Sequence, residues 1–197
     1  LSFFPALLSH HAVVAPALAA AGGTHAALLR AVDGGWACNL SGGFHHARPG
    51  LAHGFCLLND VALAVALMRA SGIDRKILVL DLDAHQGDGN AAAFAGDSQV
   101  MTVSVHEQGL FPHPKLKSTI DVGLGAGVAD EAYLAHVDAV LRVVEREFDA
   151  DVVVYVAGVD PYAGDPLSSL QLSADGLRLR DERVARFAQK HGAGLVV

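Results

Sequence analysis

Leu78-Val79-Leu80-Asp81-Leu82-Asp83-Ala84-His85-Gln86-Gly87-Asp88-Gly89 decides how this chain folds. The apolar run from Ile77 to Leu80 has the character of a buried strand. It then acquires Asp81, Asp83 and His85 at alternate positions. A strand has a side-chain period of two, so these three share one face while Leu80, Leu82 and Ala84 share the other. Two carboxylates and an imidazole converging at the carboxyl end of a buried strand are costly without a counter-charge, and a divalent cation supplies it. Such strand ends are also where open α/β sheets bind ligands. A polar strand-to-loop transition, with Asp88-Gly89 as its turn, would account for a lone Asp-x-Asp. The longer pattern D-x-D-x-H-x-x-D-G favours metal chemistry.

Outward from this strand, helical and extended patterns alternate. Upstream, residues 12–32 read as a helix interrupted at Gly22-Gly23, and Trp36 to Leu40 as a short strand entering the turn Ser41-Gly42-Gly43. Asn59-Asp60 is a candidate N-cap for a helix from Val61 to Ala70, with Gly72 as its C-cap. Downstream come a short helix near Ala91–Phe94 and a strand from Val100 to Val105. Residues 106–129 show no periodicity and are rich in Gly and Pro, which predicts a long functional loop. Asp130 is placed as the cap of a helix to about Phe148, and Val152 to Ala157 as a strand ending in Gly158-Val159-Asp160-Pro161. Ser173 or Asp175 opens the last helix, to about Lys190, and Gly194 to Val197 begins another strand. The alternation predicts an α/β fold with a doubly wound, mostly parallel sheet. Neither a repeat nor a linker divides the 197 residues, which read as one unit.

Composition narrows the function classes. Hydrophobic residues make up 52% and charged residues 18%, which suits strands covered on both faces. The net charge is -7 and there is no basic run, so a nucleic-acid partner is not expected. Cys38 and Cys56 do not make a disulfide framework, which predicts a reducing, cytoplasmic compartment. The chain begins at Leu1, and its apolar stretch to Ala21 lacks the basic n-region of a signal peptide. Pro5, His10, His11, Pro16 and Gly22-Gly23 interrupt that stretch, so a half-buried helix is expected there rather than a membrane span.

Parallel strands deliver their ends to one edge of a sheet. The strand at 36–40 leads to His45-His46, the central strand to Asp81, Asp83, His85 and Asp88, and the strand at 152–157 to Asp160. Asp83, His85 and Asp160 then form a three-ligand set with open positions, the pattern of a catalytic zinc site. Two carboxylate ligands leave the ion a weaker Lewis acid than three imidazoles would, so a base is needed. His45 and His46, beside Gly42-Gly43, suit one base and one hydrogen-bond donor.

Gly42-Gly43-Phe44-His45-His46-Ala47, Gly54-Phe55-Cys56, Asp81 to Gly89, and Gly158-Val159-Asp160 with Gly164-Asp165-Pro166 together resemble the histone deacetylase family. Its superfamily includes acetylpolyamine amidohydrolases and acetoin-utilisation proteins. The Asp-Ala-His-Gln-Gly form, with Tyr133-Leu134 and Val152 to Tyr155, is similar to the class IV branch. The resemblance covers about residues 36 to 197. It implies a three-layer αβα arginase–deacetylase fold and a single catalytic domain over 1–197, shorter than the family at both ends. It implies a zinc-dependent amidohydrolase (Fe2+ is the other candidate ion) that removes acetyl or longer acyl groups from N-acyl-lysine, in a protein, a peptide or a small acylated amine. Asp83, His85 and Asp160 match the metal ligands. His46 matches the general base, oriented by Asp88, and His45 its companion, oriented by Asp81. Gly54 and Phe55 match one wall of the acyl-lysine tunnel, Phe111 the opposing aromatic and Leu167 the rim. Asp81 and Ser104 match ligands of a structural K+.

Two alternatives stay open. An acetylpolyamine amidohydrolase would want acidic residues at the tunnel mouth, where Glu107 is the one obvious candidate. A catalytically incomplete acyl-lysine or metal-binding fragment is the other. The family carries its oxyanion-donating Tyr in a Gly-Gly-Tyr segment after the strand that starts at Gly194, and this sequence ends at Val197. Tyr133 and Tyr155 read as mid-helix and mid-strand, and Tyr162 falls on the right edge at the wrong sequence position. His10, His11, His25, His136 and His191 read as surface or core histidines, and Cys56 as packing. His106 and His113 are placed in the long loop, with a structural place expected ahead of a role at the tunnel mouth. Arg178, Arg180, Arg183 and Arg186 read as one solvated helix face.

Overall fold

The structure, a computed structural model, describes residues 10–197. Its strands are β1 (Trp36–Ala37), β2 (Ile77–Asp81), β3 (Val100–Glu107), β4 (Ile120–Leu124), β5 (Val152–Val156) and β6 (Gly194–Val196). Its α-helices are α1 (Ala15–Ala31), α2 (Asp60–Ala70), α3 (Asp88–Ala93), α4 (Asp130–Glu147) and α5 (Ala174–His191), with a π-helical turn at His10–Val14 leading into α1. The six strands form one sheet in the order β1-β6-β5-β2-β3-β4. Every pairing in it is parallel.

The order explains where a site can form. From β2 the chain moves through β3 to β4 on one side, then returns to place β5 and β6 on the other. The carboxyl ends of β2 and β5 therefore flank the point where the winding reverses, the place where such sheets open a crevice. Residues of β2 are buried along its whole length and alternate between two cores. Leu78, Leu80 and Leu82 join Val137 and Val140 of α4 and Val184 of α5 in one core. Ile77 and Val79 join Leu28 of α1 and Val65 and Met68 of α2 in the other. The sheet is thus the middle of three layers, and the alternation read from the sequence runs on past the end of β2 to Ala84.

Several boundaries differ from the sequence reading. Gly22-Gly23 does not break α1, because its backbone bonds continue and its inner face is packed: Ala20, Ala21, Thr24, Ala27 and Leu28 are buried. The 22-residue helical stretch His10–Ala31 is long and apolar enough to cross a membrane by length and composition alone, while its buried face against the sheet makes it the half-buried helix expected from the sequence. Pro5 and the rest of residues 1–9 lie outside the described residues. β1 ends at Ala37 instead of Leu40, although Asn39 N–H still donates to Val197 O at 2.8 Å. The stretch 106–129 contains an edge strand, β4, whose burial alternates along Ile120-Asp121-Val122-Gly123-Leu124. That period of two was masked by the surrounding Gly and Pro residues. Asp130 lies in the first turn of α4 rather than capping it, and its carboxylate accepts from Ser173 N–H at 2.8 Å. Ser173 in turn caps α5 by accepting from Gly176 N–H at 2.9 Å, and Asn59 caps α2 by accepting from Ala62 N–H at 2.8 Å.

Candidate active site at the carboxyl edge of the sheet

β2 and the turn after it place Asp81, Asp83 and His85 at one edge, and the loop after β5 brings Asp160 to meet them. Ligating atoms of Asp83, His85 and Asp160 all lie within 4.8 Å of one another. His85 Nδ1 is 2.7 Å from Asp160 Oδ2 and 3.1 Å from Asp83 Oδ1. Close approach of the two strand ends requires Gly158, where a Cβ would collide with Asp83 Oδ2 and come 2.7 Å from Asp83 Cα.

The turn after β1 supplies the two imidazoles. His45 Nδ1 pairs with Asp81 Oδ2 at 2.7 Å, and His46 Nδ1 with Asp88 Oδ1 at 2.6 Å. The rings are 4.1 Å apart between centroids, and both side chains are buried. Gly54 packs its backbone on the His46 ring: it has φ +57, and a Cβ there would meet His46 Cδ2 at 2.5 Å. Glycine is the residue that tolerates both demands.

Environment pushes the two imidazoles apart. Burial alone would lower the His45 pKa, but the carboxylates of Asp81, Asp83 and Asp160 outweigh it and hold it up at about 10. For His46 burial wins, helped by the charge of His45, and its pKa is lowered despite Asp88. Asp88 is a weaker source of negative field because it also accepts from Arg48 Nε. Burial works to raise the Asp88 pKa, and His46 and Arg48 together override it and hold it down. His85 is raised to about 9 by its hydrogen bonds to Asp160 and Asp83. Burial raises the Asp81 pKa against the pull of His45, whereas at Asp83 the pull of His45 and His85 prevails over burial.

Three carboxylates and two imidazoles converge where Asp81, Asp83 and Asp160 approach His45 and His85. Two carboxylates and one imidazole within reach of one point form a donor set that suits a borderline divalent ion. These residues fit the metal that the sequence pattern implies.

Above the set lies a cavity of about 460 Å³, lined by His45, His46, His85, Phe111 and Leu167 among others. Phe111 meets the His46 ring edge-on, with centroids 4.9 Å apart. Phe55 also borders the cavity, but it projects fully into solvent at φ 62, a strained conformation for a bulky side chain. It is a rim residue rather than a packed wall. Ser104 is the register partner of Asp81 across β2 and β3, and its Oγ lies 2.9 Å from His106 Nδ1.

The structure relocates several residues. Glu107 is buried and accepts from Ser169 N–H at 2.8 Å and Ser169 Oγ–H at 2.9 Å, so it is not at the mouth. His106 is buried on β3, where burial and the charge of Lys115 push its pKa down to about 4. None of Tyr133, Tyr155 and Tyr162 lines the cavity. Arg180 does not belong to a solvated face: it is 1% exposed, whereas the side chains of Arg178 and Arg186 are 56% and 79% exposed. The signal was present, since Arg180 shares a helical stripe with Gly176, Val184 and Phe187. Arg48 and His53 were missed outright. His53 Nε2 sits 3.0 Å from Asp88 Oδ2, and its ring lies 5.4 Å from that of Phe111. Both lie in an irregular loop, where no period points to a partner.

Comparison with known proteins shows the family. The family model described as histone deacetylase domain matches residues 6–197. The chain belongs to the histone deacetylase family. Histone deacetylase 2 of Arabidopsis thaliana is 35% identical over 199 residues, which span 100% of this chain and 51% of that protein. An uncharacterized protein of Picosynechococcus sp. is 42% identical over 172 residues, 87% of this chain and 57% of that one. The crystal structure of an HDAC homolog from Aquifex aeolicus superimposes with a TM-score of 0.79 at 31% identity, covering 90% of this chain and 50% of that one. The chain therefore spans about half the length of the relatives it matches.

Proposed function

We propose that this chain carries the centre of a divalent-metal amidohydrolase that removes acyl groups from N-acyl-lysine side chains. Zn2+ is the ion of first choice and Fe2+ the second. One observation carries the reading: two adjacent imidazoles on the wall of one cavity are each tied through Nδ1 to its own carboxylate, and the same cavity is lined by the converging Asp83, His85 and Asp160. A carboxylate on Nδ1 fixes the tautomer and orientation of each ring and leaves Nε2 for chemistry.

Asp83, His85 and Asp160 would hold the ion, which supplies Lewis acidity toward an amide carbonyl and lowers the pKa of water toward ~7. His46 keeps its Nδ1 proton on Asp88, so Nε2 is free to accept a proton from water and to return it to the leaving amine. His45, held through Nδ1 by Asp81, is placed to stabilise negative charge developing on the carbonyl oxygen. Phe111 and Leu167 offer an apolar passage for an aliphatic lysine stem, with Phe55 at its rim, and the carboxylates bordering it are Asp83 and Asp160. That lining favours acyl-lysine over a polycationic acetylpolyamine, whose expected acidic contact, Glu107, is tied to Ser169. The same reading extends to a monovalent cation between Asp81 and Ser104.

Metal content and turnover separate the roles. Asp83→Ala or Asp160→Ala should lose the ion. His46→Ala should keep it and lose about 10²–10⁴-fold in turnover of an acetyl-lysine or longer acyl-lysine peptide. Near-normal turnover in metal-replete His46→Ala removes His46 from the mechanism, and full metal occupancy in Asp83→Ala removes the ligand assignment.

A further inference from the structure

Arg180 is among the largest fully buried side chains, and its acidic neighbour Asp181 has a side chain 51% exposed. The guanidinium enters from α5 and works mainly on backbone. Nη1 donates to Gly158 O at 2.7 Å and to Leu82 O at 3.2 Å, Nη2 donates to Ala157 O at 2.7 Å, and Nε donates to Asp181 Oδ1 at 3.0 Å. Two tyrosines complete the arrangement. Tyr155 Oη donates to the same Asp181 oxygen at 2.6 Å, and Tyr133 Oη donates to Leu82 O at 3.1 Å.

The three carbonyls have one thing in common. Leu82 immediately precedes Asp83, and Ala157 and Gly158 lead to Asp160. The pairing of β2 with β5 continues one rung past the strands, with Leu82 N–H donating to Val156 O at 3.0 Å. Beyond that rung the chains part to present their carboxylates, and the carbonyls turned the other way need donors in a buried setting. A planar fork of five N–H donors fits several divergent acceptors at once, and an ammonium does not.

We infer that Arg180 is a positioning residue for the metal centre: it clamps the parting ends of β2 and β5 so that Asp83 and Asp160 converge on one ion. The inference rests on the reading of Asp83, His85 and Asp160 as metal ligands. Partners that hydrogen-bond ligating side chains directly contribute about 10–100-fold to metal affinity, and Arg180 acts on the backbone that carries two of those ligands.

Co2+ titration, followed by visible absorption on the metal-stripped protein, tests it alongside circular-dichroism melts. Arg180→Lys should bind Co2+ about 10–100-fold more weakly and with an altered absorption band, at a temperature far below its melting point. A lower melting temperature with parental Co2+ affinity and spectrum would make Arg180 merely structural and overturn the inference. If Arg180→Lys does not melt cooperatively, Asp181→Ala decides. It frees the guanidinium from its half-exposed partner and should weaken Co2+ binding several-fold; unchanged affinity overturns the inference. Failure of the unsubstituted protein to bind Co2+ overturns the metal reading itself, a distinct outcome.

Discussion

Asp60 shows how much of the site is set by single side chains that touch no substrate. Its Oδ1 accepts from Phe44 N–H at 2.7 Å, and its Oδ2 accepts from Gly43 N–H at 3.1 Å and from Thr24 Oγ1–H. The residue is 1% exposed, so the turn carrying His45 and His46 hangs from a buried carboxylate. Asp60→Asn keeps the shape but turns an amide N–H₂ toward N–H or O–H donors. An unpaired buried donor costs about 1–3 kcal/mol. Urea melts of Asp60→Asn should show a loss of that size, together with reduced turnover from a loosened His45-His46 turn; parental stability would remove Asp60 from this role. Sequence pattern carried no warning of it, because Asn59-Asp60 reads as a cap and Asn59 alone caps. Asp83 and His85 were legible for the opposite reason: they lie two residues apart, directly after the end of β2.

At the level of elements, α1 and the α2–β3 connection each carry a test. Gly22 sits mid-helix, and a Cβ added there would have nothing within 4 Å, whereas a Cβ on Gly23 would come 2.9 Å from the Asn39 side chain. Helix propensity favours Ala over Gly by about 0.5–1 kcal/mol. Gly22→Ala should therefore raise stability by that amount in denaturant melts, and Gly23→Ala should not. Arg69, in the last turn of α2, reaches Asp97 ahead of β3, with Nη2 donating to Oδ1 at 3.3 Å and Nη1 also bonded. The Arg69 guanidinium holds the Asp97 carboxyl below 3.8. A depressed carboxylate pKa contributes stability above the unfolded value and loses it as pH falls through the folded one. Asp97→Asn should cost about 0.5–1 kcal/mol at pH 7, and its difference from the parent should shrink below pH 3.8. A difference independent of pH would assign the effect to something other than the ion pair. β4 shows the limit of reading elements from pattern. Ile120, Val122 and Leu124 alternate correctly, but five residues amid Gly and Pro are too few to stand out.

On the scale of the whole molecule, an ion at the switch point would bridge the two halves of the sheet. Asp83 and His85 follow β2, and Asp160 follows β5, so binding of an ion there would be coupled to folding. A ligand present at 100 times its dissociation constant stabilises by about 2.7 kcal/mol. Chelation should thus lower the melting temperature of the metal-loaded protein, and Asp160→Ala should remove that sensitivity. A chelator shift that survives in Asp160→Ala would place the ion elsewhere.

From the sequence alone came the parallel sheet and the grouping of Asp83, His85 and Asp160, through short-range periodicity and strand ends that topology sends to one edge; the three layers were implied by the family resemblance. Tertiary structure alone decided what surrounds them. Arg180 lies 98 residues from Leu82, whose carbonyl it holds, Arg48 lies 40 residues from Asp88, and Glu107 lies 62 residues from the Ser169 that takes it from the mouth. Such contacts leave no periodic trace. A charged residue's side of a helix or loop is set by which unpaired backbone group or carboxylate packing brings within reach, and that is known only once the layers have closed.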